Sequence, residues 1–233
     1  MKISRDTTNI INWIIDNLIP PVLRDSKLVV YPFFLFLFGK KAKLFLEFKD
    51  KAPFLSKEEY EKYYSDLLPV HIKRHTCLNK KSIRQLLDKL EGKEVLEVGF
   101  GSGYFCKRIK ANGDYKVTGI DIYVPKNLEN DNSIRFIKGN TEKLPFADKS
   151  FDTVICAHVL EHVQNIDITI RELRRITKKR LLLVIPKQRE YKYTFDLHYT
   201  FFPYASSIQR HLKNDKAKIE LLDNDFLIIE DFA

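Results

Sequence analysis

The sequence predicts an α/β fold, a doubly wound mixed sheet of seven strands preceded by a helical extension. Three observations predict it. Residues 1 to about 76 read as helix, with Ile10, Ile11, Ile14, Ile15 and Leu18 at helical spacing. After Gly92 short β-rich runs alternate with turns and helical stretches, which implies parallel strands joined by right-handed crossovers. Seven of the eight glycines lie between Gly92 and Gly139, where the backbone must turn tightly or approach something closely.

Taken in order, Pro20-Pro21 stop the first helix. The apolar run from Leu28 to Phe38, LVVYPFFLFLF, falls short of the roughly 20 residues a bilayer span needs and contains Pro32. Burial as a core or lid helix is the expectation. The alternative is docking on a membrane surface or a greasy substrate, because Lys40, Lys41 and Lys43 follow directly. Ser56 and Glu59 form a capping-box pattern that opens the next helix. LNKKSIRQLLDKLEG is an amphipathic helix closed by Gly92. VLEVGF, KVTGIDI, IRFIKGN, FDTVICA and RLLLVIP then read as strands. KIELLDN and DFLIIEDF, parted at Asn224-Asp225, read as a terminal hairpin that supplies the antiparallel strand.

Composition bounds the function. A chain of 233 residues with 44% hydrophobic and 30% charged residues is neither disordered nor fibrous. Cys77, Cys106 and Cys156 are odd in number and widely spaced. That excludes a disulfide framework and a paired-cysteine zinc site, and favours a reducing cytoplasm. Arg5, Asp6 and Asp16 among the first apolar positions are unlike a secretory signal. The net charge of +9 favours an anionic partner, whether a phosphate-bearing small molecule, nucleic acid or acidic membrane; a solvated lysine-rich surface explains it equally.

The glycine loop carries the chemistry. EVLEVGFGSGYF runs from a buried strand into Glu97-x-Gly99-x-Gly101-x-Gly103. A dinucleotide fingerprint would need its third glycine at Tyr104, and no Gly-Lys-Ser/Thr follows for a phosphate loop. Glu97 would repel a pyrophosphate but suits a cationic amine. Asp121 ends the next strand, where a carboxylate accepts two hydrogen bonds from a ribose diol. Gly139-Asn140-Thr141 and then Phe151-Asp152 complete the pattern. Together they describe a ligand with an amino-acid end, a ribose and an adenine.

From Val95 to about Val163 the chain resembles the class I, Rossmann-like S-adenosylmethionine-dependent methyltransferases, in their type-11-like group. EVGFGSG matches the first motif, GID the second, and GNTEKLPF and SFDTVICAHVLEHV the third and fourth. The resemblance implies the class I methyltransferase fold for residues 77–233, with residues 1–76 as a helical lid and substrate region. It implies that Glu97, Gly99, Gly101 and Gly103 border the methionine moiety and that Asp121, with Ile122 beside it, takes the ribose hydroxyls. Asn140 and Thr141 would sit at the adenine, Ala157 and His158 on the far side, and Arg74 would pair with the cofactor carboxylate. Asn140 departs from the family's usual Asp; its carbonyl still accepts from an adenine amino group.

His158-x-x-Glu161-His162 spells an inverted zinc-protease motif. No long helix is indicated to carry it, so no metal is expected, and His162 reads as a structural histidine, as do His71 and His75. The cations of RELRRITKKR, residues 171–180, read as a solvated helix end. After the fifth strand, KQREYKYTFDLHYTFFPYASS concentrates aromatic and polar side chains. His198 is the candidate general base and Asp196 its partner; bracing the loop is the alternative role for His198. D-x-H-x-x-F-F there resembles methyltransferases from surface-polysaccharide gene clusters, as do PPVLRDSKLVVYPFF and RHTCLN more loosely.

The expected function is therefore methyl transfer from S-adenosylmethionine, leaving S-adenosylhomocysteine, to an oxygen of a small anionic, glycan-related or phosphorylated acceptor in the cytoplasm. One alternative is a lipid or quinone methyltransferase using Leu28 to Phe38 as a membrane foot. Another is a nucleic-acid methyltransferase or binding module, against which stands the lack of an Asn/Asp-Pro-Pro-Tyr motif.

Overall fold

The computed structural model describes residues 13–15, 18–67, 75–193 and 196–232. They fall into two compact units, one of residues 1–74 with 189–201 and the other of residues 75–188 with 202–233.

The first unit holds α1 (Lys27–Phe38), α2 (Ala42–Lys51) and α3 (Lys57–Leu67), after a single helical turn at Pro21–Arg24. The capping box at the start of α3 is reciprocal: the Ser56 N–H donates to Glu59 Oε2 at 2.8 Å and the Glu59 N–H to Ser56 Oγ at 3.2 Å. Phe34 and Phe38 of α1 pack on Phe45 and Phe48 of α2, and Leu197 completes this aromatic core. The rings of Phe38 and Phe45 stack with centroids 3.8 Å apart. The burial expected for the apolar run holds on this face only. Leu28, Val29, Phe33 and Phe36 are exposed, because α1 is apolar all round and short packed helices cover one side of it. Most of the helix expected over Ile10 to Leu18 lies outside the described residues; 13–15 are helical.

The second unit holds the sheet: β1 (Glu94–Val98), β2 (Lys116–Asp121), β3 (Arg135–Lys138), β4 (Phe151–Ala157), β5 (Thr177–Pro186), β6 (Lys218–Leu222) and β7 (Asp225–Asp231). Their order is β3-β2-β1-β4-β5-β7-β6. The first five strands pair in parallel, and β7 runs antiparallel to both β5 and β6. The hairpin turn is Asp223-Asn224, one residue earlier than the sequence suggested, with Asp223 at φ 56°.

Each central strand is apolar on both faces, as a covered parallel sheet demands. Along β5, Leu181, Leu183 and Ile185 pack on one side with α6 (Ile166–Ile176) and α7 (Ala205–Leu212). Leu182 and Val184 face the other side, with α4 (Lys80–Asp88) and α5 (Tyr104–Ala111). The cations closing α6 are less solvated than expected. Arg174 binds Glu230 of β7 through two bonds of 2.7 and 2.6 Å, and Arg175 binds Glu172, Asp148 and the Leu144 and Phe146 carbonyls. The planar guanidinium matches a carboxylate with two parallel bonds, which holds these cations on the protein rather than in water.

The sheet order reverses between β1 and β4, so their carboxyl ends open the crevice in which α/β sheets bind ligands.

Candidate active site

At that crevice the loop after β1 is held in left-handed backbone, with φ of 78° at Gly99, 54° at Gly101 and 72° at Gly103. Non-glycine residues are strained there. A side chain at Gly99 would also overlap Val159, its Cβ falling 2.1 Å from Cγ2, whereas one at Gly101 would meet nothing within 4 Å. Gly99 is therefore fixed by packing, and Gly101 presents bare backbone.

Two carboxylates flank this loop. Glu97 is buried on β1 and receives the thiol and backbone N–H of Cys106 in α5. Its Oε2 is buried with no hydrogen-bond partner among the described residues. Burial pushes its carboxyl up to about 8, with Asp121 adding to the rise and the Cys106 bonds opposing it. Asp121 ends β2, accepting the Gly101 N–H at 2.8 Å and the Tyr123 N–H at 3.3 Å. Burial raises its carboxyl too, against the pull of those backbone donors. Ile122 follows it, its backbone N–H also directed to Asp121. Gly119 in β2 lies so close to Phe100 and Phe136 that a Cβ would come within 2.9 Å of each.

The other sequence-predicted residues are placed as follows. Asn140 makes a turn, its Oδ1 accepting the Glu142 N–H at 2.9 Å, and Thr141 Oγ1 lies 3.4 Å from Thr169 Oγ1. Ala157 ends β4, and His158 follows at φ 55°, its N–H donating to the Val184 carbonyl. Glu97, Gly99, Gly101, Gly103, Asp121, Ile122, Asn140, Thr141, Ala157 and His158 all belong to the second unit, while Asp196 and His198 belong to the first. The His198 ring meets Phe201 edge-on at 6.1 Å. Arg74 and His71 lie outside the described residues.

Sequence reasoning missed one group. His158 lies between two buried carboxylates, with Nδ1 3.3 Å from Glu161 and Nε2 3.6 Å from Asp225. Asp225 opens β7 and also accepts from Asn79 at 3.2 Å and Ser82 at 3.5 Å, at the start of α4. Glu161 sits in a single 3-10 turn, Leu160–His162, so the H-x-x-E-H residues do not share an α-helical face. The one available signal was an aspartate directly ahead of the apolar run Phe226–Ile229.

A crevice with an orphaned buried carboxylate oxygen, a second carboxylate at the neighbouring strand end and bare glycine backbone between them fits a ligand that brings a cationic amine and hydroxyl donors. A sulfonium-bearing nucleoside amino acid has both.

Residues 96–185 match the methyltransferase domain family known as Methyltransf_11. The chain is 36% identical over 87 residues to the malonyl-[acyl-carrier protein] O-methyltransferase of Erwinia pyrifoliae, covering 36% of this chain and 33% of that protein. It is 35% identical over 92 residues to a tRNA carboxymethyltransferase of Nautilia profundicola, covering 36% of this chain and 31% of that one. The chain thus spans about a third of the length of these curated relatives. Among solved structures, a SAM-dependent methyltransferase from Aquifex aeolicus superposes with a TM-score of 0.51 at 17% identity, over 65% of this chain and 89% of that one. Family match and sheet order agree: residues 96–185, from β1 to β5, are the stretch that matches, and the seven-stranded sheet is the class I methyltransferase fold.

Proposed function

We propose that this protein is an S-adenosylmethionine-dependent methyltransferase. The observation that carries the reading is the pair Glu97 and Asp121, two carboxylates raised by burial on either side of a left-handed glycine loop. Glu97 takes the cofactor's amine, Gly99, Gly101 and Gly103 give its methionine end room, and Asp121 with Ile122 takes the ribose. Asn140 and Thr141 border the adenine, and Ala157 and His158 line the far side. When bound, the cofactor supplies a methyl group already activated on a sulfonium. The residues of the chain therefore have to hold, orient and keep water away, which is where most of the acceleration of such a transfer resides.

The acceptor is a small anionic molecule, glycan-related or phosphorylated, attacked at oxygen; the surplus of cationic side chains supports this class. Residues 1–76 select it, residues 77–233 hold the cofactor, and His198, oriented by Asp196, removes the proton. The reducing interior of the cell suits the free thiols Cys77, Cys106 and Cys156. A lipid or quinone acceptor is the second reading, favoured by the exposed face of α1.

Calorimetry with S-adenosylmethionine and S-adenosylhomocysteine tests the first step. Micromolar binding that Asp121→Ala removes is the expected result; no heat with the wild type would overturn it. With the cofactor established, nucleotide sugars, phosphorylated metabolites and quinones are screened as acceptors. His198→Asn is expected to lower kcat about 100-fold while leaving cofactor affinity intact.

A further inference from the structure

Helix α1 presents more apolar surface than a water-facing helix carries. Its 12 residues, KLVVYPFFLFLF, include a single charge, Lys27 at the first position. Val30, Phe34, Leu37 and Phe38 form the stripe turned toward the aromatic core, at the i, i+4 and i+7, i+8 positions of one face. The remaining arc faces out: Leu28 is 88% exposed, Phe36 83%, Val29 51% and Phe33 47%. Leu28, Pro32 and Phe36 follow one another at i, i+4, i+8, with Val29 and Phe33 beside them. The turn before α1 adds exposed Val22 and Leu23. Contiguous apolar surface of this kind marks a contact site.

Charge on the segment singles out the partner. Between Asp25 and Glu47 there is no acidic residue, and Lys27, Lys40, Lys41 and Lys43 bracket the apolar arc at both ends. The acids at the borders are paired: Asp25 lies 3.5 Å from Arg24, and Glu47 lies 2.7 Å from Lys51 and 3.7 Å from Lys43. No helix among the described residues is long and apolar enough to cross a membrane. An apolar arc about 12 Å long, with ammonium groups at both ends, is the pattern of a helix lying in the headgroup layer. Two copies of this chain meeting face to face would bring these lysines against each other without an acid to neutralise them. Anionic phospholipid neutralises them and takes up the aromatic tips together.

We infer that the exposed face of α1 docks on the surface of an anionic phospholipid bilayer, with Leu28, Val29, Phe33 and Phe36 seated at the boundary between headgroups and acyl chains and the bracketing lysines on phosphates. This goes beyond the methyl-transfer reading and stands without it.

The test is sedimentation of the full chain with vesicles of phosphatidylcholine alone and of phosphatidylcholine containing about a third phosphatidylglycerol. No cofactor or turnover enters the readout, so its failure and that of the proposed activity are separate. The wild type is expected to pellet with the anionic vesicles and stay in solution with the neutral ones. Leu28→Glu/Phe36→Glu is expected to lower the bound fraction by about tenfold, and Lys27→Gln/Lys40→Gln by several-fold, each with an unchanged thermal melt. The second pair removes charge from exposed positions only, so it serves if the first unfolds. Wild type remaining in solution with anionic vesicles overturns the inference. So does equal binding by both double variants. A vesicle-free dimer that Leu28→Glu/Phe36→Glu converts to monomer also overturns it, since a second copy would then own the face.

Discussion

Asp121 Oδ2 accepts the backbone N–H of Gly101 at 2.8 Å, tying the end of β2 to the middle of the loop that leaves β1. One carboxylate thereby shapes the glycine loop with one oxygen while its other oxygen accepts the Tyr123 N–H at 3.3 Å. The loop's conformation and the ribose-binding role proposed for Asp121 thus depend on a single side chain.

The two roles separate by substitution. Asp121→Asn keeps an oxygen for the Gly101 N–H and removes the charge; Asp121→Ala removes both. Cofactor affinity is expected to fall about tenfold in the first and about 100-fold or more in the second. Only Asp121→Ala is expected to lower the denaturant midpoint as well. Equal losses in both variants would show that the charge alone matters.

Glu97 predicts a proton linkage. Its carboxyl is pushed up to about 8 from an ordinary 4.5, chiefly by burial. The folded side chain therefore holds a proton that the unfolded chain has already released. The stability this group contributes is complete below about 4.5 and is lost as pH rises through about 8. Glu97→Gln is expected to flatten that slope in urea titrations. A cationic amine beside Glu97 favours the carboxylate, so cofactor binding near neutral pH releases close to one proton. Calorimetry in two buffers of different ionisation heat reads the number directly; heats independent of buffer would remove Glu97 as the amine's partner.

Gly99 and Gly101 differ in what an added methyl would meet. Gly99→Ala combines left-handed strain with an overlap on Val159 and is expected to destabilise by about 3 kcal/mol. Gly101→Ala carries the strain alone and is expected to lose about 1 kcal/mol. Chemical denaturation of the two variants checks the ranking. A larger loss at Gly101 would contradict the packing described.

Arg174 and Glu230 join α6 to β7 in a two-bond pair, with Glu230 2% exposed and Asn214 Nδ2 adding a bond of 3.1 Å. Arg174→Ala leaves that carboxylate buried without its cation and is expected to destabilise by about 3 kcal/mol. In Arg174→Ala/Glu230→Gln much of the loss should return. An additive double variant would mean that the two residues act independently.

The strands, the glycine loop and the capping box at Ser56 were legible because each is written in a few adjacent residues. The unbroken apolar run LLLVI, a carboxylate before three spaced glycines, and Ser followed three residues on by Glu are local signals with local causes. Asp225 beside His158 is a different case. It arises because β7 returns antiparallel along β5 and sets its first residue at the carboxyl end of the parallel strands. No spacing in the sequence encodes that return. The grouping of residues 189–201 with the first unit is equally silent locally. So is the choice of which face of α1 is covered, since every face of that helix is apolar.

The interleaving of the two units along the chain bears on how the protein is made. Leu197, part of the aromatic core of the first unit, is translated after all five parallel strands. β5 in turn keeps one edge unpaired until β7, which follows every other strand, has left the ribosome. A nascent chain halted between these points carries an open hydrogen-bonding edge in one unit and an unfinished aromatic cluster in the other. The two units are therefore not cassettes to be cut apart and expressed singly, and their folding is completed in alternation, each waiting on sequence that lies beyond the other.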